Sequence, residues 1–185
     1  MLVYRVFPYL ASARAGAPGH PLYEHTPQRG GRADHPDYYV WYLSQQAEAA
    51  CGESFGNHST WDDSMLKFPL IPGARRALGT FSLPDALRIL DLDDPHQLVR
   101  LGLRPTQIVR RNLTVTQRWA HRIWEERDAT GARSWQAVQW WSYHRPAWTV
   151  LASWERPELR DVEPLTTNHP ALCDAATALD RQIEI

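Results

Sequence analysis

The chain has 185 residues, a formal net charge of −1 and a pI near 6.7, so it carries no basic excess of the kind that direct nucleic-acid binding needs. With 43% hydrophobic and 22% charged residues it is long enough for one well-buried core and short for two, and a single domain over residues 1–185 is expected. No apolar run reaches the length of a membrane span, and Cys51 and Cys173 are too few for a disulfide framework, which leaves two buried, reduced thiols and a cytoplasmic, membrane-free location as the expectation.

Residues 2–7 alternate as a first strand, without the layout of a signal peptide. From Pro8 to His35 the chain is rich in Ala, Gly, Pro and His and lacks periodicity, so it reads as a long loop; loops of that length inside a compact domain are often functional. Residues 38–44 read as an aromatic strand, with Tyr38, Val40 and Tyr42 on one face and Tyr39, Trp41 and Leu43 on the other. Gln45 to about Phe55 reads as a helix stopped at Gly56-Asn57, with Glu53 near its end. Residues 58–85 look irregular around a Pro72-Gly73 turn, and residues 86–92 alternate as a strand.

Asp94-Pro95 opens a short helix, since proline suits the first helical turn. Thr114 to Arg127 is the clearest helix, with an apolar stripe of Val115, Trp119, Ile123 and Trp124. Residues 136–142 and 147–153 form two strands of a hairpin around His144-Arg145-Pro146. Because side chains alternate along a strand, Trp140 and Trp141 cannot share a face, so one of them meets a second layer or a cleft. A strand at Arg160–Pro164 and a helix from Pro170 to about Ile183 complete an α+β domain.

Four residues stand out for chemistry. Arg32 follows Gly30-Gly31, an approach that lets backbone and guanidinium come close to a ligand; its planar fork suits a pyrophosphate or carboxylate, although a solvated loop arginine is the plain alternative. Tyr42 is either a core aromatic or the lining of a pocket. Glu53 follows the small residues Ala49-Ala50-Cys51-Gly52; turned inward, its carboxylate would suit a ribosyl centre that gains positive charge, and turned outward it is merely solvated. Ser142 has no Gly-x-Ser-x-Gly setting, so it reads as a binding hydroxyl rather than a nucleophile. No metal site is expected: His20, His25 and His35 lack paired ligand spacing, and His121 has no partner at helical distance. A Walker loop and a Gly-x-Gly-x-x-Gly fingerprint are both missing.

In order and spacing, Gly31-Arg32-Ala33-Asp34-His35-Pro36, Tyr42-Leu43-Ser44, Ala47 to Phe55 and Ala137 to Ser142 resemble the elements of the RES-domain family, toxins of RES–Xre type toxin–antitoxin pairs. The resemblance runs from Tyr4 to about Trp154. It implies an ADP-ribosyltransferase-like mixed sheet flanked by helices, NAD as substrate with no prosthetic group, and cleavage of the nicotinamide–ribose bond by hydrolysis or phosphorolysis. Carried over, Arg32, Tyr42 and Ser142 would hold the dinucleotide and Glu53 would stabilise the ribosyl cation; Ser134 is a rival for the family's serine. A cognate DNA-binding antitoxin is implied as partner. Ala33 stands where an aromatic is usual, and Gln139 where a basic residue is common. Transfer of ADP-ribose to a protein acceptor shares the same residues, and a catalytically idle partner-binding domain is the reading from a different class.

Overall fold

Strand β1 (Leu2–Tyr9) pairs along its whole length with β3 (Arg75–Ser82) and at one end with the short β2 (Trp41–Ser44). The remaining strands are β4 (Ile89–Asp91), β5 (Ala137–Trp141), β6 (Thr149–Ser153) and β7 (Glu158–Pro164). All seven join one sheet in the order β4-β5-β6-β2-β1-β3-β7, antiparallel except for the β4–β5 pair. The coordinates are a computed structural model and describe residues 1–110 and 112–184. Both sheet edges are unattractive to further strands: β4 has only three residues, and β7 displays Glu158, Arg160, Asp161 and Glu163.

One face of the sheet is covered by apolar side chains from the strands themselves and from the segment between β1 and β2. Val3, Phe7, Trp41, Leu43, Ala77, Phe81 and Leu151 form this layer, with Leu22 and Tyr39 packed against it. The opposite face carries two separate helical groups. Helix α4 (Leu113–Glu125), with α2 (Pro95–Leu101) and α3 (Pro105–Ile108), packs its Trp119, Ala120 and Ile123 against Leu90, Val138, Trp140 and Val150. Helices α1 (Ala47–Phe55) and α5 (Pro170–Ala178) pack against Leu78, Leu165 and Trp148 at the other end. Between these groups the sheet is left open, and that gap is the cleft described below.

The mixed α+β sheet flanked by helices agrees with the sequence reading, as do β1, α1, α2, α4 and the β5–β6 hairpin. Several expectations need correction. Residues 58–85 are not simply irregular: they contain a 3-10 turn, Asp63–Leu66, and the eight-residue strand β3. β3 escapes a period-two reading because Ala77, Leu78 and Gly79 are all buried in succession between neighbouring strands, so no polar face interrupts them. The strands read at 38–44 and 86–92 shrink to Trp41–Ser44 and Ile89–Asp91, and the last helix ends at Ala178. In α4 it is Thr116 and Ala120, rather than Val115, that accompany Trp119 and Ile123 into the core. Cys51 is buried, with desolvation pushing its thiol up to about 12, whereas Cys173 is only half-buried; neither is in a disulfide. No described helix is long and apolar enough to cross a membrane.

Helix α1 comes unusually close to the hairpin. A Cβ at Gly52 would fall 2.2 Å from the Trp148 ring, so only glycine permits the contact. We expect Gly52→Ala to lower stability by about 1–3 kcal/mol in urea unfolding, as overpacking does; an unchanged midpoint with an unchanged slope would contradict the tight seat.

Candidate active site

The floor of the cleft is a single cross-strand row. Tyr4 of β1 pairs with Ser44 of β2, Ser44 with Val150 of β6, and Val150 with Trp140 of β5. All four line the same cavity of about 350 Å³, a size usual for small-molecule sites. Tyr42 lies two residues before Ser44, so alternation returns its ring to the same side. Trp140, the member of the tryptophan pair that meets the cleft, is held edge-to-face against Trp119 of α4 with centroids 6.2 Å apart.

One wall comes from α1. Glu53 is half-buried and lines the cleft, which decides its orientation: the carboxylate is turned inward and not out to solvent. Its Oε1 accepts a hydrogen bond of 2.5 Å from Ser142 Oγ. Ser142 is 1% exposed, and its hydroxyl oxygen also accepts from the backbone N–H groups of His144 (3.0 Å) and Arg145 (3.3 Å). With its one proton given to Glu53 and its lone pairs facing two N–H donors, the serine is fully committed. It is a positioning group for the carboxylate, 89 residues away in sequence. Ser134 does not line this cleft; its backbone is tied to Glu126 and Arg88 beyond β4.

The other wall is the loop at 30–34. Gly30, Gly31 and Arg32 line the cavity. The Arg32 guanidinium donates to the carbonyl of Arg110 and, at 3.5 Å, to that of Ile108, which fastens the loop to the α3–α4 connection. Gln117 of α4 adds a 3.0 Å bond to the Gly31 carbonyl. The Tyr42 hydroxyl donates to Asp34 Oδ1 (2.6 Å) and accepts from the Ala33 N–H (2.8 Å). Asp34 Oδ2 in turn accepts from the Gly31 N–H at 2.6 Å. Burial and the neighbouring Asp34 charge push the Tyr42 phenol well above its ordinary range, so it stays protonated and keeps donating.

Thus Arg32, Tyr42 and Glu53 share one cleft, and Ser142 stands directly behind Glu53. Three roles differ from the sequence reading: Ser142, expected to hold the dinucleotide, is buried and spent on Glu53 and the hairpin turn, so it positions the carboxylate instead. The Tyr42 hydroxyl is spent on the loop, which leaves its ring to face a ligand. The lack of a side chain at Gly31 makes room for that hydroxyl, since a Cβ there would lie 2.1 Å from it; the glycine serves the protein's own packing rather than ligand approach. Asp34, 5% exposed, is a site residue that carries no distinguishing signal in the sequence, since its side chain reaches back to the Gly31 N–H. Tyr4 and Ser44 were also unread, because their meeting depends on pairing between strands distant in sequence.

The RES domain family model matches residues 2–174. Among solved structures, a chain of the M. tuberculosis MbcT–MbcA toxin–antitoxin complex has a similar fold, with a TM-score of 0.64 and 21% identity over 97% of this chain and 88% of that one. No curated protein matches the chain in sequence.

Removing the hydroxyl in Tyr42→Phe strands a buried carboxylate oxygen and a backbone N–H. We expect a loss of about 1–3 kcal/mol, together with faster amide hydrogen exchange at Gly31 and Ala33. Exchange unchanged at both amides would show that other contacts hold the loop.

Proposed function

The chain belongs to the RES domain family, its model match covering residues 2–174, and from that premise we propose that it is an NAD-consuming toxin that cleaves the bond between nicotinamide and ribose. The observation that carries this reading is the inward-facing Glu53 carboxylate, oriented by the Ser142 hydroxyl on the wall of a cleft that Arg32 also lines. As nicotinamide departs, the ribosyl carbon and ring oxygen gain positive charge. A carboxylate fixed beside that centre stabilises the transition state more than the ground state, which is what lowers a barrier. Ser142 supports this by holding one carboxylate oxygen in place, so that little reorganisation is needed when the charge develops.

Arg32 would supply the opposite charge for the dinucleotide's pyrophosphate, and the rings of Tyr42 and Trp140 would supply flat apolar surface for nicotinamide. NAD enters this account as substrate, and no prosthetic group is called for. Water or inorganic phosphate would take the ribosyl group, giving hydrolysis or phosphorolysis; a protein side chain in their place would make the enzyme an ADP-ribosyltransferase. By analogy with the toxin–antitoxin complex whose fold it shares, we also propose a cognate antitoxin as partner. An idle binding domain is disfavoured by the arrangement itself. A half-buried carboxylate costs free energy to keep, and a domain without chemistry has no use for it.

The test is release of free nicotinamide from NAD by purified protein, with and without phosphate. Glu53→Gln should fold normally and lose activity by roughly 10²–10³-fold or more, the scale at which removing one electrostatic stabiliser acts. Wild-type turnover in Glu53→Gln would overturn the assignment. A phosphate requirement would select phosphorolysis, and release only upon adding a protein acceptor would select transfer. In equilibrium binding, Arg32→Ala should weaken NAD more than Trp119→Phe, because Trp119 is 3% exposed and packs behind the cleft. Equal affinities would remove Arg32 from the binding site.

A further inference from the structure

His35 and His121, unrelated in sequence, meet in the fold with Asp37 between them. Asp37 Oδ2 lies 3.5 Å from His35 Nδ1 and 3.3 Å from His121 Nε2, and one donor atom from each of the three residues lies within 4.8 Å of the other two. The two imidazole rings stack with centroids 3.7 Å apart. The sequence reading gave His121 no partner at helical distance, yet Glu125 lies one turn along α4, and two more partners arrive from the loop after Arg32.

A further carboxylate stands beside the cluster. His121 Nδ1 faces Glu125 Oε2 at 3.5 Å, one helical turn along α4. In the tautomer with its proton on Nδ1, toward that carboxylate, the Nε2 lone pair is available to a metal ion. At His35 the backbone N–H of Asp37 donates to Nδ1 at 3.3 Å, so this nitrogen is an acceptor too. Two imidazoles and an acceptor-only carboxylate are thus gathered within reach of one ion, toward which the stacked rings would have to turn to aim both lone pairs.

We propose that His35 Nδ1, Asp37 Oδ2 and His121 Nε2 form a binding site for a divalent transition-metal ion of the zinc class. Ligand bonds of about 2.0–2.1 Å in tetrahedral geometry place donor atoms about 3.3–3.4 Å apart, and two of the separations here are 3.3 and 3.5 Å. The Asp37 N–H bond to His35 is long enough to give way to a metal–nitrogen bond. Two imidazoles and a carboxylate are a donor set that suits zinc and its neighbours and leaves a position for water. The side chains of His35 and His121 are 27% and 24% exposed and that of Asp37 is 55% exposed, so the site is open to solvent on one side. Glu125 takes the part of the outer carboxylate that fixes a ligating histidine's tautomer.

None of these residues lines the Glu53 cleft, and the proposal does not rest on the NAD reading. Its consequence reaches the cleft all the same. His35 follows Asp34, the clamp on Tyr42, and lies three residues from Arg32, whereas His121 belongs to α4. A bound ion would cross-link the Arg32 loop to that helix, so the ion's role is to hold structure and not to take part in bond cleavage.

The test uses the full chain, free of any affinity tag and stripped of metal, titrated with Zn²⁺ against a chromophoric chelator. We expect one ion per chain, a higher Tm with Zn²⁺, and loss of both effects in His121→Ala and in Asp37→Asn. Asp37→Asn keeps the side-chain shape, so it decides the matter if His121→Ala fails to fold. Glu125→Gln should weaken binding roughly 10- to 100-fold. Absence of stoichiometric binding would mean that a proton alone occupies the cluster and would overturn the proposal. Unchanged affinity in the Asp37→Asn and His121→Ala variants would overturn it equally, by placing the ion on other histidines.

Discussion

A carboxylate held half-buried in the wall of a cleft is the constraint on which this structure turns. Glu53 is carried by α1, yet its partner is Ser142 at the end of β5, and the bond between them requires helix and hairpin to meet at close range. Gly52 allows the Trp148 ring to rest against the helix, and at Gly56 any side chain would run into His144. The hairpin turn then gives Ser142 two backbone N–H donors, leaving its hydroxyl a single direction in which to donate. The small residues of α1 thus have a purpose beyond helix propensity. They bring a serine and a glutamate into register.

A second fastening, independent of the first, governs the opposite wall. The loop at 30–34 has no regular backbone ladder of its own, and it is held by side chains: Tyr42 and Asp34 from within, Gln117 and the Arg32 guanidinium across to the helical group. These bonds tie down a surface loop whose Gly-rich sequence alone would leave it unconstrained. Since both walls rise from a floor of cross-strand partners, the cleft is laid out by the sheet and only finished by the loop and the helix.

Much of this was legible in the sequence, and the exceptions have physical causes. Period-two and period-3.6 patterns reveal elements with one wet face, which is why β1, α1, α4 and the hairpin could be read. β3 is packed between β1 and β7 and has three buried residues in a row, so its pattern carries no alternation to read. For the site, Arg32, Tyr42, Glu53 and Ser142 could be named from motif order, whereas the alternation argument placed one of Trp140 and Trp141 at a second layer or a cleft without saying which. Asp34, Tyr4 and Ser44 could not, and neither could the meeting of His35 and Asp37 with His121, which lies 84 residues beyond Asp37. Those are contacts that exist only once the strands are ordered and α4 is laid over the loop.

The central claim is that the cleft between the two helical groups holds NAD with its ribosyl centre at Glu53. A crystal structure of the Glu53→Gln variant soaked with NAD tests it most directly. The account expects nicotinamide against Tyr42 and Trp140, the glycosidic carbon beside residue 53, and the pyrophosphate within reach of Arg32. NAD bound outside this cleft, or bound in it with the adenine end at residue 53, would contradict it.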